Sequence, residues 1–266
     1  MILKRDDAEI YYEVRGEGPD VVLVHPFPSC GEFWAPMAER LEARFRVVIP
    51  DLRGHGRSGA GEGSATMRKH AQDLAALCDE TGVGRAAFVG CSIGGYVLFE
   101  FWREFRERVR ALVLCDTKAG ADTDEARTNR LRIAEDVLLK GPETVIDGMM
   151  EKLLGESTRR NRLDVARAAR ETMARSTAQG IAAVQRGMAE RPDSTNTLMT
   201  IDVPALVAGG EEDTLAPREE LEKMARGIHG AELKMVAQAG HYAPFEQAEE
   251  VARMVRQFLE KNAGRA

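Results

Sequence analysis

Three side chains in this sequence stand where they could work as one unit: a serine, a histidine and an aspartate. Ser92 lies in Gly90-Cys91-Ser92-Ile93-Gly94, followed by Gly95. An apolar run, Ala86 to Val89, precedes it and an apolar helical stretch follows. A serine at such a strand-to-helix turn occupies a tight, strained corner that pushes its hydroxyl out at the carboxyl edge of a sheet. The glycines two residues before and after it sit where side chains would crowd the turn. A helix starting just behind the hydroxyl favours negative charge developing there. The chemistry this suits is nucleophilic attack on a carbonyl.

A serine hydroxyl is a poor nucleophile near neutral pH and needs a base. Of the five histidines, His241 is in Ala239-Gly240-His241-Tyr242-Ala243-Pro244, after a strand run ending at Val236 and before the last helix. Active-site groups collect in loops at the carboxyl ends of parallel strands. His25 and His55 read as residues that hold loops by hydrogen bonds, and His70 and His229 as surface residues. The base in turn needs an acid to fix its tautomer. Asp213 follows the apolar run Ala205 to Ala208, with Glu211 and Glu212 beside it read as solvated. Asp116, at the end of the run Ala111 to Cys115, is a rival for that role. An oxyanion would need two N–H donors. Ile93 supplies one. The loop His25-Pro26-Phe27-Pro28 supplies the other through Phe27, because proline has no N–H to give.

These residues need a frame. Val21 to Val24, Arg46 to Ile49, Ala86 to Val89, Ala111 to Cys115 and Ala205 to Ala208 are short apolar runs of the kind found in buried parallel strands. Glu232 to Val236 adds another strand, and Ile10 to Val14 an edge strand hairpinned with the first residues. Helical spacing covers Phe33 to Leu41, Thr66 to Glu80, the stretch after Ser92, and Glu246 to Glu260. Strands alternating with helices predict an α/β fold with a mostly parallel sheet and helices on both faces. From Lys118 to Leu198 the strand rhythm stops and helical periodicity takes over, broken at Gly141-Pro142 and Gly155. The reading is a core of residues 1–117 and 199–266, interrupted by a helical cap at 118–198 that belongs to the same structural unit.

With 266 residues and a net charge of -6, the chain has no electrostatic reason to seek nucleic acid or an anionic membrane. It has no apolar stretch long enough to span a bilayer and no signal-peptide layout at its start. Its four cysteines form no C-x-x-C pair and no zinc spacing, which predicts reduced thiols in a cytoplasmic protein with no metal and no cofactor. Oligomeric state is not legible.

Taken in order, HPFPSCGEFW, DLRGHGRS, GCSIGG, GEEDTLAP and AGHYAPFEQ resemble the α/β-hydrolase superfamily. Within it the chain is similar to small bacterial carboxylesterases, 3-oxoadipate enol-lactonases and cofactor-free haloperoxidase/perhydrolase relatives. The resemblance covers both halves of the core. It implies an eight-stranded sheet with one antiparallel strand, a helical lid, and a Ser92–Asp213–His241 triad in the chain order of that fold. Two positions depart from the pattern: His25-Pro26 replaces the usual His-Gly, and Cys91 precedes the nucleophile. A serine at 92 separates the chain from epoxide hydrolases and haloalkane dehalogenases, which carry aspartate there. The expected activity is hydrolysis of a small carboxylic ester or lactone through an acyl-enzyme. Carbon–carbon bond hydrolysis or perhydrolysis by the same triad is one alternative, and a small-molecule sensor on the same fold is another. Trp34 and Tyr242, with Phe27 and Ile93, are expected to line an apolar pocket. Met149, Met150, Met173 and Met188 are candidates for the cap's underside. Inward-pointing cap arginines among Arg159, Arg160, Arg162 and Arg175 would favour a carboxylate-bearing substrate.

Overall fold

The apolar runs assemble into the middle of one sheet in a computed structural model that describes residues 1–263. In chain order the strands are β1 (Ile2–Lys4), β2 (Glu9–Arg15), β3 (Asp20–Val24), β4 (Arg46–Pro50), β5 (Ala86–Cys91), β6 (Val109–Cys115), β7 (Ala205–Gly210) and β8 (Glu232–Val236). Their spatial order is β1-β2-β4-β3-β5-β6-β7-β8. β2 pairs antiparallel with both β1 and β4, and the other pairings are parallel. β1 therefore covers the edge that the sequence assigned to β2.

Alternation along the strands builds two cores. Val22, Val24, Phe88, Leu112 and Val207 face one side, and Val21, Leu23, Val89, Val113 and Leu206 face the other. Both faces need cover, because successive side chains on a strand point to opposite sides. Helices α1 (Ala35–Leu41), α2 (Met67–Thr81) and α3 (Ile93–Phe105) supply much of it. Trp34 ends a 3-10 turn, Gly31–Trp34, and α1 begins after it with a proline in its first turn. A proline there gives up an N–H that the helix would not have used. α2 begins where the Thr66 hydroxyl accepts the Lys69 N–H at 3.2 Å and ends at Gly82, whose φ is 69°. These are the start and stop signals of a capped helix.

Between β6 and β7 run α4 (Asp124–Lys140), α5 (Glu143–Leu153), α6 (Glu156–Asn161), α7 (Leu163–Met173), α8 (Ala178–Ala189) and α9 (Thr195–Leu198). α8 is fastened to the rest by close backbone contact. A Cβ at Gly180 would collide with the Gly54 carbonyl, and one at Gly187 with the Ala65 carbonyl. After β7 come α10 (Arg218–Gly227), α11 (Ala243–Glu246) and α12 (Ala248–Lys261). The sequence predicted one closing helix from Glu246, whereas the structure breaks it at Gln247 (φ −123°). The break leaves Glu246 turned inward. Its carboxylate accepts the N–H of Gly240 and of Gly155, each at 2.8 Å. Tyr242 N–H also donates to Leu153 O at 3.0 Å. The loop carrying His241 is thereby pinned to the segment joining α5 and α6.

No helix among the described residues is long and apolar enough to cross a membrane. All four cysteines are buried and unpaired.

Candidate active site

The chain reverses its lateral direction at β3. β4 lies on one side of it and β5 on the other, so the loops after β3 and β5 meet at the carboxyl edge, where open α/β sheets bind ligands. Ser92 sits there with φ 54° and ψ −114°, a conformation that non-glycine residues rarely adopt. A Cβ at Gly94 would run into the Val24 carbonyl, so the turn after β5 packs directly on the end of β3.

His241 closes on Ser92 from the loop after β8. Its Nε2 lies 2.8 Å from Ser92 Oγ and its Nδ1 2.8 Å from Asp213 Oδ2. An ionised carboxylate only accepts, so Nδ1 carries the proton and Nε2 is left to accept the Ser92 hydroxyl. Asp213 Oδ1 accepts the N–H groups of Leu215 at 2.7 Å and Ala216 at 3.1 Å. Burial alone pushes this carboxyl upward. The adjacent His241 ring, with the hydrogen bonds from His241, Ala216 and Leu215, outweighs that and holds it below the usual range. The three predicted residues are thus brought into one hydrogen-bonded line.

Asp116 is elsewhere. Its Oδ1 accepts Gly210 N–H at 2.8 Å, tying the end of β6 to β7. Burial and the nearby Asp213 charge push its carboxyl well up. Glu212 is not simply solvated, since it accepts the Ser157 N–H at 2.9 Å.

Phe27 lines the cavity above Ser92, and Tyr242 OH donates to its carbonyl at 3.2 Å. Neither the Phe27 nor the Ile93 N–H is spent on an acceptor among the described residues. His25 holds this loop from behind. Its Nδ1–H donates to Pro26 O at 2.9 Å and its Nε2 accepts Leu52 N–H at 2.8 Å. His55 packs edge-on against His25 at 5.0 Å. His70, assigned to the surface from sequence, is buried. It falls on the inward stripe of α2 with Met67, Leu74 and Leu77. His229 is exposed, as expected.

Burial lowers His25 from 6.5 to about 4 and, with the His25 ring beside it, His55 to about 3. In the folded protein both stay neutral where the unfolded chain would take up protons. Stability is therefore full above about pH 6.5 and falls as the pH drops toward 4, because the unfolded state then binds more protons. Melting temperatures measured at steps from pH 7 to pH 4 should decline through this window, and a flat profile would contradict the buried, neutral assignment.

The cavity over Ser92 has a volume of about 230 Å³ and is walled by Phe27, Tyr96, Met149, Leu153, Met188, Leu215 and His241. Trp34 and Tyr242 do not line it. Both are fully buried in the core beneath, where Phe33 packs edge-on against each at 4.9 Å. Met173 is likewise a core residue, and Met150 packs on the same core. The four arginines singled out in the sequence are also away from the cavity. Arg160 pairs with Glu156, Arg175 with Glu32 at 3.0 Å, Arg159 Nε donates to Leu154 O at 3.3 Å, and Arg162 donates to Glu246 O. Tyr96, Leu215, Lys118 and Arg130 were missed. Position carried a signal for three of them: Tyr96 is one helical turn beyond Ser92, Leu215 is two residues beyond Asp213, and Lys118 follows the carboxyl end of β6.

Among proteins of known structure, a thermophilic esterase from Thermogutta terrifontis, solved with malate bound, superposes with a TM-score of 0.96 at 41% identity, covering 98% of this chain and 99% of its own. The enol-lactonase from Burkholderia xenovorans LB400 gives 0.91 at 26% identity, covering 98% and 100%. The 3-oxoadipate enol-lactonase 1 of Acinetobacter baylyi is 24% identical over 263 residues, 97% of this chain and 96% of that one. The model of the family described as alpha/beta hydrolase fold matches residues 19–248, and the chain belongs to that family.

Proposed function

We propose that this protein is a serine hydrolase that cleaves a small carboxylic ester or lactone through an acyl-enzyme on Ser92. The observation that carries the reading is the unbroken line Asp213–His241–Ser92 at the floor of a cavity. Similarity to an esterase and to enol-lactonases supports it.

In the proposed cycle, Ser92 Oγ attacks the carbonyl carbon as its proton passes to His241 Nε2. The N–H groups of Phe27 and Ile93 hold the oxyanion. The tetrahedral intermediate collapses, and His241 returns the proton to the departing alcohol oxygen. Water then attacks the acyl group by the same route, releasing the acid and restoring Ser92. Asp213 keeps its charge throughout and stabilises the imidazolium. The four unpaired cysteines support a cytoplasmic location.

Hydrolysis of 4-nitrophenyl acetate and butyrate, with mass spectrometry after a fluorophosphonate probe, tests this directly. Turnover with a single adduct on Ser92 is expected. Absence of both would reject the hydrolase reading and favour a small-molecule sensor on the same fold.

A further inference from the structure

The cavity above Ser92 is lopsided in charge. Lys118, Arg130 and Lys152 line it, and among the described residues no carboxylate does. Arg130 is held in place, with its Nε on Asp122 and its Nη1 donating to Gln185 Oε1 at 3.3 Å. The same Asp122 carboxylate accepts Arg191 Nη2 at 2.8 Å, so one acid already serves two guanidinium groups. Arg191 in turn lies 4.1 Å over the Tyr96 ring. Lys118 is left over. It is half-buried at the sheet edge that carries Ser92, and its amine makes no hydrogen bond or ion pair among the described residues. Burial, with the Arg191 charge, pushes that amine below its ordinary range. Asp122, already shared by two guanidinium groups, and Glu220 favour the charged amine only at a distance and do not outweigh this. A partly desolvated cation with no carboxylate in direct contact is unfavourable, and an arriving anion would relieve it.

We infer that the cavity selects an ester or lactone carrying a carboxylate away from the scissile carbonyl, and that Lys118 pairs with that carboxylate while Arg130 and Lys152 add to the field. This rests on the hydrolase reading above and names the substrate class of the same site.

The test compares kcat/KM for mono-4-nitrophenyl adipate with that for 4-nitrophenyl hexanoate, which differ in the terminal charge. One charge-assisted contact in a partly desolvated site should favour the adipate about ten- to a hundredfold. Lys118→Met keeps the aliphatic stem and removes the charge. It should collapse the ratio toward one, chiefly through KM, while Lys261→Met, at an exposed ion pair with Glu232, should leave it unchanged. The wild-type ratio should also fall with added salt. If Lys118→Met does not fold, this salt response decides: a falling ratio supports the inference and a constant one overturns it. A wild-type ratio near one, or a ratio that survives Lys118→Met, overturns the inference but leaves the hydrolase reading standing. Hydrolysis of neither ester overturns both.

Discussion

Ser92→Ala is expected to lower kcat for 4-nitrophenyl butyrate by ~10⁴–10⁶-fold and to abolish labelling by the fluorophosphonate. The oxygen it removes is the one that His241 Nε2 meets at 2.8 Å. The neighbouring thiol offers no replacement: Cys91 is fully buried, and burial and the Asp116 charge push its thiol far up. Alanine keeps the Cβ that serine already carries at φ 54°, so the substitution adds no steric conflict at the turn. Circular dichroism melts should therefore match the parent within a few degrees while activity is lost. A variant retaining more than a tenth of the parent rate would show that another group attacks.

Asp213→Asn is expected to cost about 10⁴-fold in kcat with little change in KM. The size is nearly the same shape, and the Leu215 and Ala216 N–H groups can still bond to the amide oxygen. What changes is the atom facing His241. An amide nitrogen there donates to Nδ1, which must then give up its proton. Nε2 carries the proton instead and can no longer accept from Ser92. Rates measured across substrate concentration separate this from loss of binding, which would raise KM at constant kcat. A variant with near-parental kcat would mean that the tautomer of His241 is set by something other than Asp213.

The sheet and the three residues of this line were legible because they depend on local rules. Runs such as Val21 to Val24 cannot be solvent-facing, and a serine between glycines after such a run has few conformations open to it. The cavity wall is legible only in part: Phe27, Met149 and Met188 line it as expected, and the rest depends on side-chain direction. Trp34 and Tyr242 neighbour the loops around the site in the chain, but neighbouring side chains point in different directions, and both turn into the core. Arg130 comes to the cavity through the rotation and placement of α4, which sequence spacing leaves open, whereas Lys118 stands in the loop after β6. The burial of His70 is written in its spacing: Met67, His70, Leu74 and Leu77 repeat at helical intervals, and a histidine on that stripe is buried with its neighbours.

The clamp formed by Glu246 bears on how freely the two parts of this molecule can be exchanged. The helices between β6 and β7 look like a module, inserted at one point and removed at another. Yet Gly155 and Gly240 share one buried carboxylate, and Leu153 receives the N–H of Tyr242. A recombinant that swapped in another protein's helices at the β6 and β7 junctions would replace half of this joint and leave the histidine loop without its support. The practical seams for recombination lie outside the residues from Leu153 to Gly155, which in this respect belong with the sheet rather than with the helices around them.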